Sequence, residues 1–105
     1  MSERPTLAVG LMSGTSLDGM DAALVRFQGP TRCTLLHFVT RPYETEEREA
    51  IRDALRAGQP RTLARLHARL GTWASEAVDL VLAGGHVRAS ELSFIAFPGQ
   101  TVWHE

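Results

Sequence analysis

The hydrophobic and polar positions divide the chain into a part with strand-like alternation and a part with helical spacing. Thr6 to Met12 is short, apolar and interrupted by Gly10, which predicts a buried strand. Met20 to Phe27 alternates, and Arg32 to Arg41 is rich in β-branched and aromatic residues, so each predicts another strand. Because the connections between them are short, we expect an antiparallel meander of two hairpins.

The apolar spacing becomes helical after the third strand. A first helix is predicted with Thr45 as its N-cap and Gly58 as its stop. A longer helix is predicted from about Thr62 to Ala83, because apolar residues stay on one face along it, and two glycines follow as a stop signal. His67 falls on that apolar face, and we expect it to be a buried core residue.

A fourth strand is predicted over Leu92 to Phe97, before a Pro-Gly pair. Because a helical crossover leads to it, we expect this strand to lie parallel to a strand of the meander. The order of three strands, two helices and one strand therefore predicts a single, incomplete α/β domain over residues 1–105.

Composition and charge exclude several kinds of function. All 11 basic residues counted as Lys or Arg are arginines, so the chain has no Schiff-base lysine and no P-loop lysine. The formal net charge of −1 does not favour nucleic acid as a partner. No apolar run approaches the length of a membrane span, and the single Cys33 fits a reducing cytoplasm as a small buried side chain.

Gly10 to Asp21 reads GLMSGTSLDGMD and places glycines, hydroxyls and carboxylates in a tight loop between two predicted strands. Glycines let the backbone approach a ligand and turn its N–H groups toward it. Asp18 and Asp21 can hold Mg²⁺ through water, since Mg²⁺ usually keeps several waters. The hydroxyls that can donate to phosphate oxygens belong to Ser13, Thr15 and Ser16. The pattern makes this loop a candidate nucleotide-phosphate hairpin, and the alternative, which composition by itself favours, is a polar hairpin turn without a ligand.

A second candidate site follows the fourth strand, in the sequence GQTVWH from Gly99 to His104. Ligand sites in α/β sheets gather at the ends of such strands. Gln100, Thr101 and His104 carry polar groups suited to sugar hydroxyls, whereas Trp103 could stack on a sugar or only pack. The alternative is a loop that follows a strand and binds nothing.

Taken together, GLMSGTSLDGMDAALV and the later GQTVWHE closely resemble the N-terminal part of the anhydro-N-acetylmuramic acid kinase family. The resemblance runs across essentially all 105 residues in the order of the elements. The MSGTSLDG-x-D string is highly specific, and GQTVWHE supports it independently. The resemblance implies an actin-like ATPase with two lobes, of which this chain would hold part of the first ribonuclease-H-like lobe.

The same resemblance implies a reaction, a cofactor and a setting. The family uses ATP and water to open the 1,6-anhydro ring of anhydro-N-acetylmuramic acid and to phosphorylate O6, which gives N-acetylmuramate 6-phosphate and ADP. Phosphoryl transfer depends mostly on positioning and on charge stabilisation, which Mg²⁺ assists. The implied setting is cell-wall recycling in the bacterial cytoplasm, with the anhydro sugar and ATP as small-molecule partners.

Site residues follow from matching the motifs position by position. Gln100, Thr101 and His104 match a loop near the sugar. The family usually has a His immediately before Gly-Gln-Thr, but Pro98 stands there in this chain, which removes the contribution of that His and a backbone donor. The ATP-binding stretch is matched by Gly14, Thr15, Ser16, Leu17, Asp18, Gly19, Met20 and Asp21.

The length of the chain points to an inactive part of a kinase. Family members are several times longer, and the Asp-x-Gly motif whose Asp activates the attacking water has no counterpart in these 105 residues. We therefore expect no general base in this chain and no kinase activity from it alone. The alternative is a truncated lobe that binds a partner or forms a homo-dimer, because an incomplete sheet exposes an edge and an apolar face.

Overall fold

A meander of three antiparallel strands opens the fold. The computed structural model describes residues 5–13, 18–29 and 31–97. The strands are β1 (Thr6–Ser13), β2 (Gly19–Gln28) and β3 (Arg32–Pro42), and β2 pairs with both neighbours. The predicted meander is therefore confirmed, with strand ends that differ from the predicted ones by one residue at most.

Two helices and a fourth strand complete the described part of the chain. Helix α1 (Thr45–Ala57) and helix α2 (Pro60–Gly85) lead through a short 3₁₀ turn, Ala89–Glu91, to β4 (Leu92–Ala96). Strand β4 lies parallel to β1, and the sheet order is β3-β2-β1-β4. This arrangement confirms the predicted crossover and is consistent with an incomplete ribonuclease-H-like or actin-like ATPase lobe.

The core lies between the helices and one face of the sheet. Directly paired residues of antiparallel strands share a face, which places the pairs Val9–Leu24 and Leu11–Ala22 under the helices. All of these are at most 4% exposed. The helices complete the core with Ile51, Ala54, Leu66, Leu70, Trp73, Ala74, Ala77, Val78, Val81 and Leu82.

The opposite face of the sheet, the open face, is apolar and exposed within the described residues. It carries Phe27 and Phe94, whose rings stack with centroids 6.3 Å apart. Met12, Phe38 and Phe94 each keep about half of their surface accessible, at 56%, 52% and 49%. The sequence-based expectation of an exposed apolar face is therefore confirmed.

Helix α1 begins one residue earlier than predicted. Its N-cap is Glu44, whose backbone N–H donates to the Glu47 carboxylate at 2.9 Å, whereas Thr45 is the first helical residue. The predicted cap at Thr45 is therefore wrong, because a Glu three residues along satisfies the orphan N–H of position 44. Gly58 ends the helix in the left-handed conformation, with φ of 65°, as predicted.

Helix α2 extends beyond both predicted ends and includes the two glycines that were expected to stop it. It ends at Gly85, and the next residue, His86, is the C-cap and adopts the left-handed conformation with φ of 59°. A Cβ at Gly85 would lie 2.5 Å from Cδ2 of Leu24, so this glycine lets the helix pack closely on the sheet. Neither this helix nor α1, in the described ranges, has the length and apolarity needed to cross a membrane.

Two residues expected in the core lie at the surface. Cys33 is exposed because it pairs with Phe27 on the open face, which no described element covers. His67 is exposed because it lies one position past Leu66 on α2, about 100° around the helix from that buried side chain. Neither prediction is correct, since an apolar neighbourhood in sequence does not fix which face is covered.

Candidate functional site

The candidate phosphate hairpin joins β1 to β2 at one edge of the core. Ser13 and Met20 form the last register pair of β1 with β2 before the connection. On the return, Asp18 immediately precedes β2, and Gly19 is the first residue of β2 and pairs with Pro42 of β3. Outside the described residues lie Gly14, Thr15, Ser16, Leu17, Gln100, Thr101 and His104. The site can therefore be described from Ser13 on one side and from Asp18 through Asp21 on the other.

Tyr43, just after β3, contacts both sides of this hairpin. Its hydroxyl lies 2.8 Å from Oγ of Ser13, where either group can donate. Its backbone N–H donates to the carbonyl oxygen of Asp18 at 3.0 Å. The residue is only 3% exposed. One buried side chain and its own backbone thus link the two described ends of the hairpin connection.

Gly19 is required by the close approach of β2 to the end of β3. A Cβ at this position would lie 2.5 Å from the carbonyl oxygen of Arg41 and 2.8 Å from Cγ2 of Thr40. Contacts this short are excluded for real side chains, and backbone cannot move away as easily as a flexible side chain. The glycine of the motif therefore has a packing role as well as its proposed role beside a ligand.

The two carboxylates of the motif differ in their surroundings. Asp21 is half-buried, and its Oδ1 accepts a hydrogen bond of 2.7 Å from Oγ1 of Thr40. Asp18 is exposed. Met20, which lies between them, is fully buried under the helices, so only its backbone can reach a ligand at the hairpin.

The donor set fits a magnesium ion that keeps most of its water. Within the described ranges, no group of three or more His, Cys, Asp or Glu residues comes together to hold a metal. Two carboxylates are the kind of donors that Mg²⁺ uses when waters and the oxygens of a phosphate ligand supply the rest. Asp18 and Asp21 are therefore suited to water-mediated binding and do not form a protein cage.

A cavity of about 330 Å³ opens beside Asp21 on the open face. Its floor is formed by residues with little or no side chain, because Gly10 pairs with Ala23 on one side and with Ala96 on the other. Its walls include Met12 and Phe38. The cavity is thus an apolar recess with one carboxylate at its margin.

A cluster of charged and aromatic side chains fixes the junction between β3 and α1, next to Tyr43. The Arg41 guanidinium donates twice to the Glu47 carboxylate, at 2.6 and 3.0 Å, and once to Glu76 at 2.8 Å. Trp73 packs against the Tyr43 ring with centroids 5.2 Å apart. Arg41 and Arg69 lie 5.7 and 5.0 Å from the Trp73 ring, within the range of cation–π attraction.

These contacts shift the pKa values of the groups involved. Hydrogen bonds from Arg41 hold the pKa of Glu47 below its usual range, despite the opposing effect of burial. The carboxylates beside Arg41 raise the pKa of its guanidinium. Burial raises the pKa of Tyr43, while the hydrogen bond with Ser13 opposes that shift. At neutral pH, Tyr43 therefore keeps its proton and Glu47 its charge.

Sequence reasoning did not identify Tyr43 or Thr40 as part of the site. The alternation of β3 could have placed Thr40 on the same face as Asp21, since the strand register pairs them. No local signal indicates the contact between Tyr43 and Ser13, which are 30 residues apart in the chain. Such a contact depends on how the helices close over the meander.

Comparison with known proteins gives a consistent match. The family model for anhydro-N-acetylmuramic acid kinase matches residues 6–105. An anhydro-N-acetylmuramic acid kinase of Rhizorhabdus wittichii is 41% identical over 105 residues, which cover 93% of this chain and 29% of the relative. Kinases of the same name from Bacillus cereus and Nitrosomonas europaea are 35% and 39% identical and cover 91% of this chain each. This chain covers 26% and 27% of those two relatives, so it spans less than a third of each protein compared.

Proposed function

Because the chain belongs to the anhydro-N-acetylmuramic acid kinase family, we propose that it provides the nucleotide-phosphate hairpin of such a kinase. In this proposal the hairpin receives ATP, and the segment after β4 contributes Gln100, Thr101 and His104 to the sugar site. The reaction is hydrolysis of the 1,6-anhydro bond with phosphorylation of O6 of the amino sugar. The chain alone is proposed to be inactive.

The observation that carries the proposal is the anchored hairpin at the family motif. Ser13 and Asp18 are both bonded to the buried Tyr43, so the ends of the connection are held in fixed relation. Phosphate oxygens are bound well by preorganised backbone N–H groups and hydroxyls. A connection whose two ends are anchored in this way would position the β- and γ-phosphates without a lysine, in agreement with a chain that contains none.

The positive charge that the hairpin lacks would come from a magnesium ion held by the two carboxylates. Asp18 and Asp21 would hold the ion through its waters, and the ion would offset negative charge on the transferred phosphoryl group. The hydrogen bond from Thr40 fixes one oxygen of Asp21, which orients the other oxygen. The carboxylates then act by placing the ion's hydration shell and take no part in proton transfer.

The proposed inactivity of the chain alone follows from what the family's reaction requires. The water that attacks the sugar must be activated by a base, and no Asp-x-Gly motif occurs in the 105 residues. A chain that spans 29% of its Rhizorhabdus relative supplies one part of the kinase's ligand sites in this account.

The test is an ADP-release assay with ATP, Mg²⁺ and anhydro-N-acetylmuramic acid. The purified 105-residue chain is expected to give no sugar-dependent ADP. A chimera, in which residues 6–105 replace the matching segment of the Rhizorhabdus kinase, is expected to give sugar-dependent turnover. Turnover by the isolated chain would contradict the proposed inactivity, and a folded but inactive chimera would contradict the proposed role in the kinase.

A second candidate function is self-association through the open face. In the described ranges this face carries exposed apolar side chains, and Asp21 is its one charged residue. A two-fold interface brings identical patches together, so a nearly uncharged apolar patch is complementary to itself. We therefore take a second copy of this chain as the partner. Sedimentation equilibrium at micromolar concentration is expected to give a dimer, and a clean monomer would contradict this function.

A further inference from the structure

We propose that Tyr43 is the positioning residue of the phosphate hairpin: it fixes the separation between Ser13 and Asp18, the two ends of the connection. This inference rests on the proposed function, since it concerns how the same hairpin is held for nucleotide. Tyr43 itself touches no reacting atom in the proposal. It lies outside the sequence motif, in the link between β3 and α1.

Two different groups of the same residue make the two contacts. The phenol hydroxyl lies 2.8 Å from the Ser13 hydroxyl, and the backbone N–H lies 3.0 Å from the Asp18 carbonyl oxygen. Ser13 ends β1, and Asp18 immediately precedes β2. A displacement of Tyr43 therefore moves both ends of the hairpin connection together, and a fixed Tyr43 holds both.

The surroundings of Tyr43 restrict its movement. Its ring packs on Trp73 of α2, and only 3% of the residue's surface is exposed. The preceding Arg41 is joined to Glu47 of α1 and to Glu76 of α2 by ion pairs of 2.6 and 2.8 Å. Both helices thus hold the backbone segment that contains Tyr43. Through Tyr43, the helix layer determines the positions of Ser13 and Asp18.

Such positioning matters because phosphoryl transfer tolerates little displacement. Binding groups have to be held within about 0.5 Å of their productive positions, and second-layer contacts provide that rigidity. Hydrogen bonds to phosphate weaken when their lengths and angles depart from the preferred geometry, so a loosened hairpin should bind MgATP less tightly. Removing only the Tyr43 hydroxyl should loosen the Ser13 end and, through the shared residue, weaken the bond to Asp18.

The first experiment measures this coupling in the 105-residue chain without nucleotide. The exchange rate of the Tyr43 backbone amide reports its bond to Asp18, which Tyr43→Phe does not remove. We expect that substitution to accelerate this exchange about threefold to tenfold. Ser13→Ala, which deletes the other hydroxyl and leaves the aromatic ring in place, should have the same effect. Thr72→Val, which removes a hydroxyl from the exposed side of α2, is the matched control and should leave the rate unchanged.

The second experiment measures the kinetics of the chimera. Tyr43→Phe should raise KM for MgATP about threefold to tenfold, with kcat within about twofold and KM for the sugar unchanged. A variant that only lowers stability would reduce the active fraction and would leave KM as it is. Asp18→Ala in the same chimera tests the proposed function separately.

The outcomes separate the inference from the function on which it rests. An unchanged amide exchange rate in both hydroxyl variants would overturn the inference, whatever the kinetics. An effect of Asp18→Ala on ATP with no effect of Tyr43→Phe would overturn the inference and support the proposed hairpin. An absence of any effect of Asp18→Ala would contradict the proposed function of the hairpin, and the inference would fail with it.

Discussion

At the scale of single residues, Gly19 and Gly10 show how differently two glycines of one motif are constrained. A Cβ on Gly19 would lie 2.5 Å from the Arg41 carbonyl oxygen, whereas a Cβ on Gly10 would meet nothing within 4 Å. We expect Gly19→Ala to lower the free energy of unfolding by about 1–3 kcal/mol, because the strands must separate. Gly10→Ala is the matched control and should change it by less than about 0.5 kcal/mol. Urea unfolding of both variants measures the difference, and equal effects would contradict this packing role.

Glu47 should make the fold sensitive to acid. Its pKa is lower in the folded chain than in the unfolded chain, because Arg41 donates to the carboxylate. A group of this kind contributes stability that is present above the unfolded pKa, roughly 4.3, and is lost as the pH falls through the folded pKa. We expect Glu47→Gln to lower the free energy of unfolding at pH 7 by about 1–3 kcal/mol. The loss should shrink as the pH falls below roughly 4, where the wild-type carboxylate is protonated too.

The neighbouring Glu46 is the matched control for that measurement. It also pairs with an arginine, Arg69, at 2.8 Å, but its side chain is 66% exposed, against 9% for Glu47. Solvent screens exposed pairs strongly, so Glu46→Gln should have the smaller effect and the weaker pH dependence. Thermal unfolding from pH 3 to pH 8 compares the two. A pH profile that Glu47→Gln leaves parallel to that of the wild type would rule out this role.

At the scale of elements, periodicity predicted the strands and helices because each has one covered face. Leu24 and Ala22 alternate with half-buried neighbours along β2, and the spacing of Leu66 and Leu70 on α2 follows the helical period. The ends were less predictable. Gly85 was interpreted as a stop, but its missing side chain serves contact with the sheet, which only the tertiary arrangement determines.

The same limit applies to burial and to the site. Cys33 and His67 lie in apolar stretches of sequence, yet both are exposed, because coverage depends on which face the helices take. The hairpin motif could be recognised from its glycines, hydroxyls and carboxylates. The anchor at Tyr43 could not, since it joins residues 30 positions apart through a contact that forms only when the sheet and the helices pack.

The proposed dimerisation through the open face of the sheet can be tested by substitution. If two copies pair through it, Phe38→Ser should weaken dimerisation, because Phe38 is a large apolar side chain that is 52% exposed on that face. Leu80→Ser is the matched control, since Leu80 is 48% exposed but lies on α2. We expect the dimer dissociation constant to rise about tenfold or more for the first variant only. Equal sedimentation profiles for the two variants would show that the open face is not the interface.

At the scale of the whole molecule, the chain matches less than a third of each compared family member, and those proteins are more than three times as long. It carries the motif proposed for nucleotide phosphates, on a hairpin fixed by the helix layer, and lacks the Asp-x-Gly motif expected to hold the base. In the proposed function, this segment would position the nucleotide, and the base that activates the water would come from another part of the kinase. If that proposal is correct, changes to the hairpin of this segment should alter the kinetic constants for MgATP.

The central claim is that this hairpin binds the phosphates of MgATP, and kcat/KM for MgATP in the chimera tests it most directly. Asp18→Ala should lower kcat/KM by about 10- to 100-fold, because a carboxylate that orients the ion's waters is removed. Asp79→Ala, at an exposed position on α2, is the matched control and should leave kcat/KM within about twofold of the parent. Equal kcat/KM values for the parent, Asp18→Ala and Asp79→Ala would contradict the account.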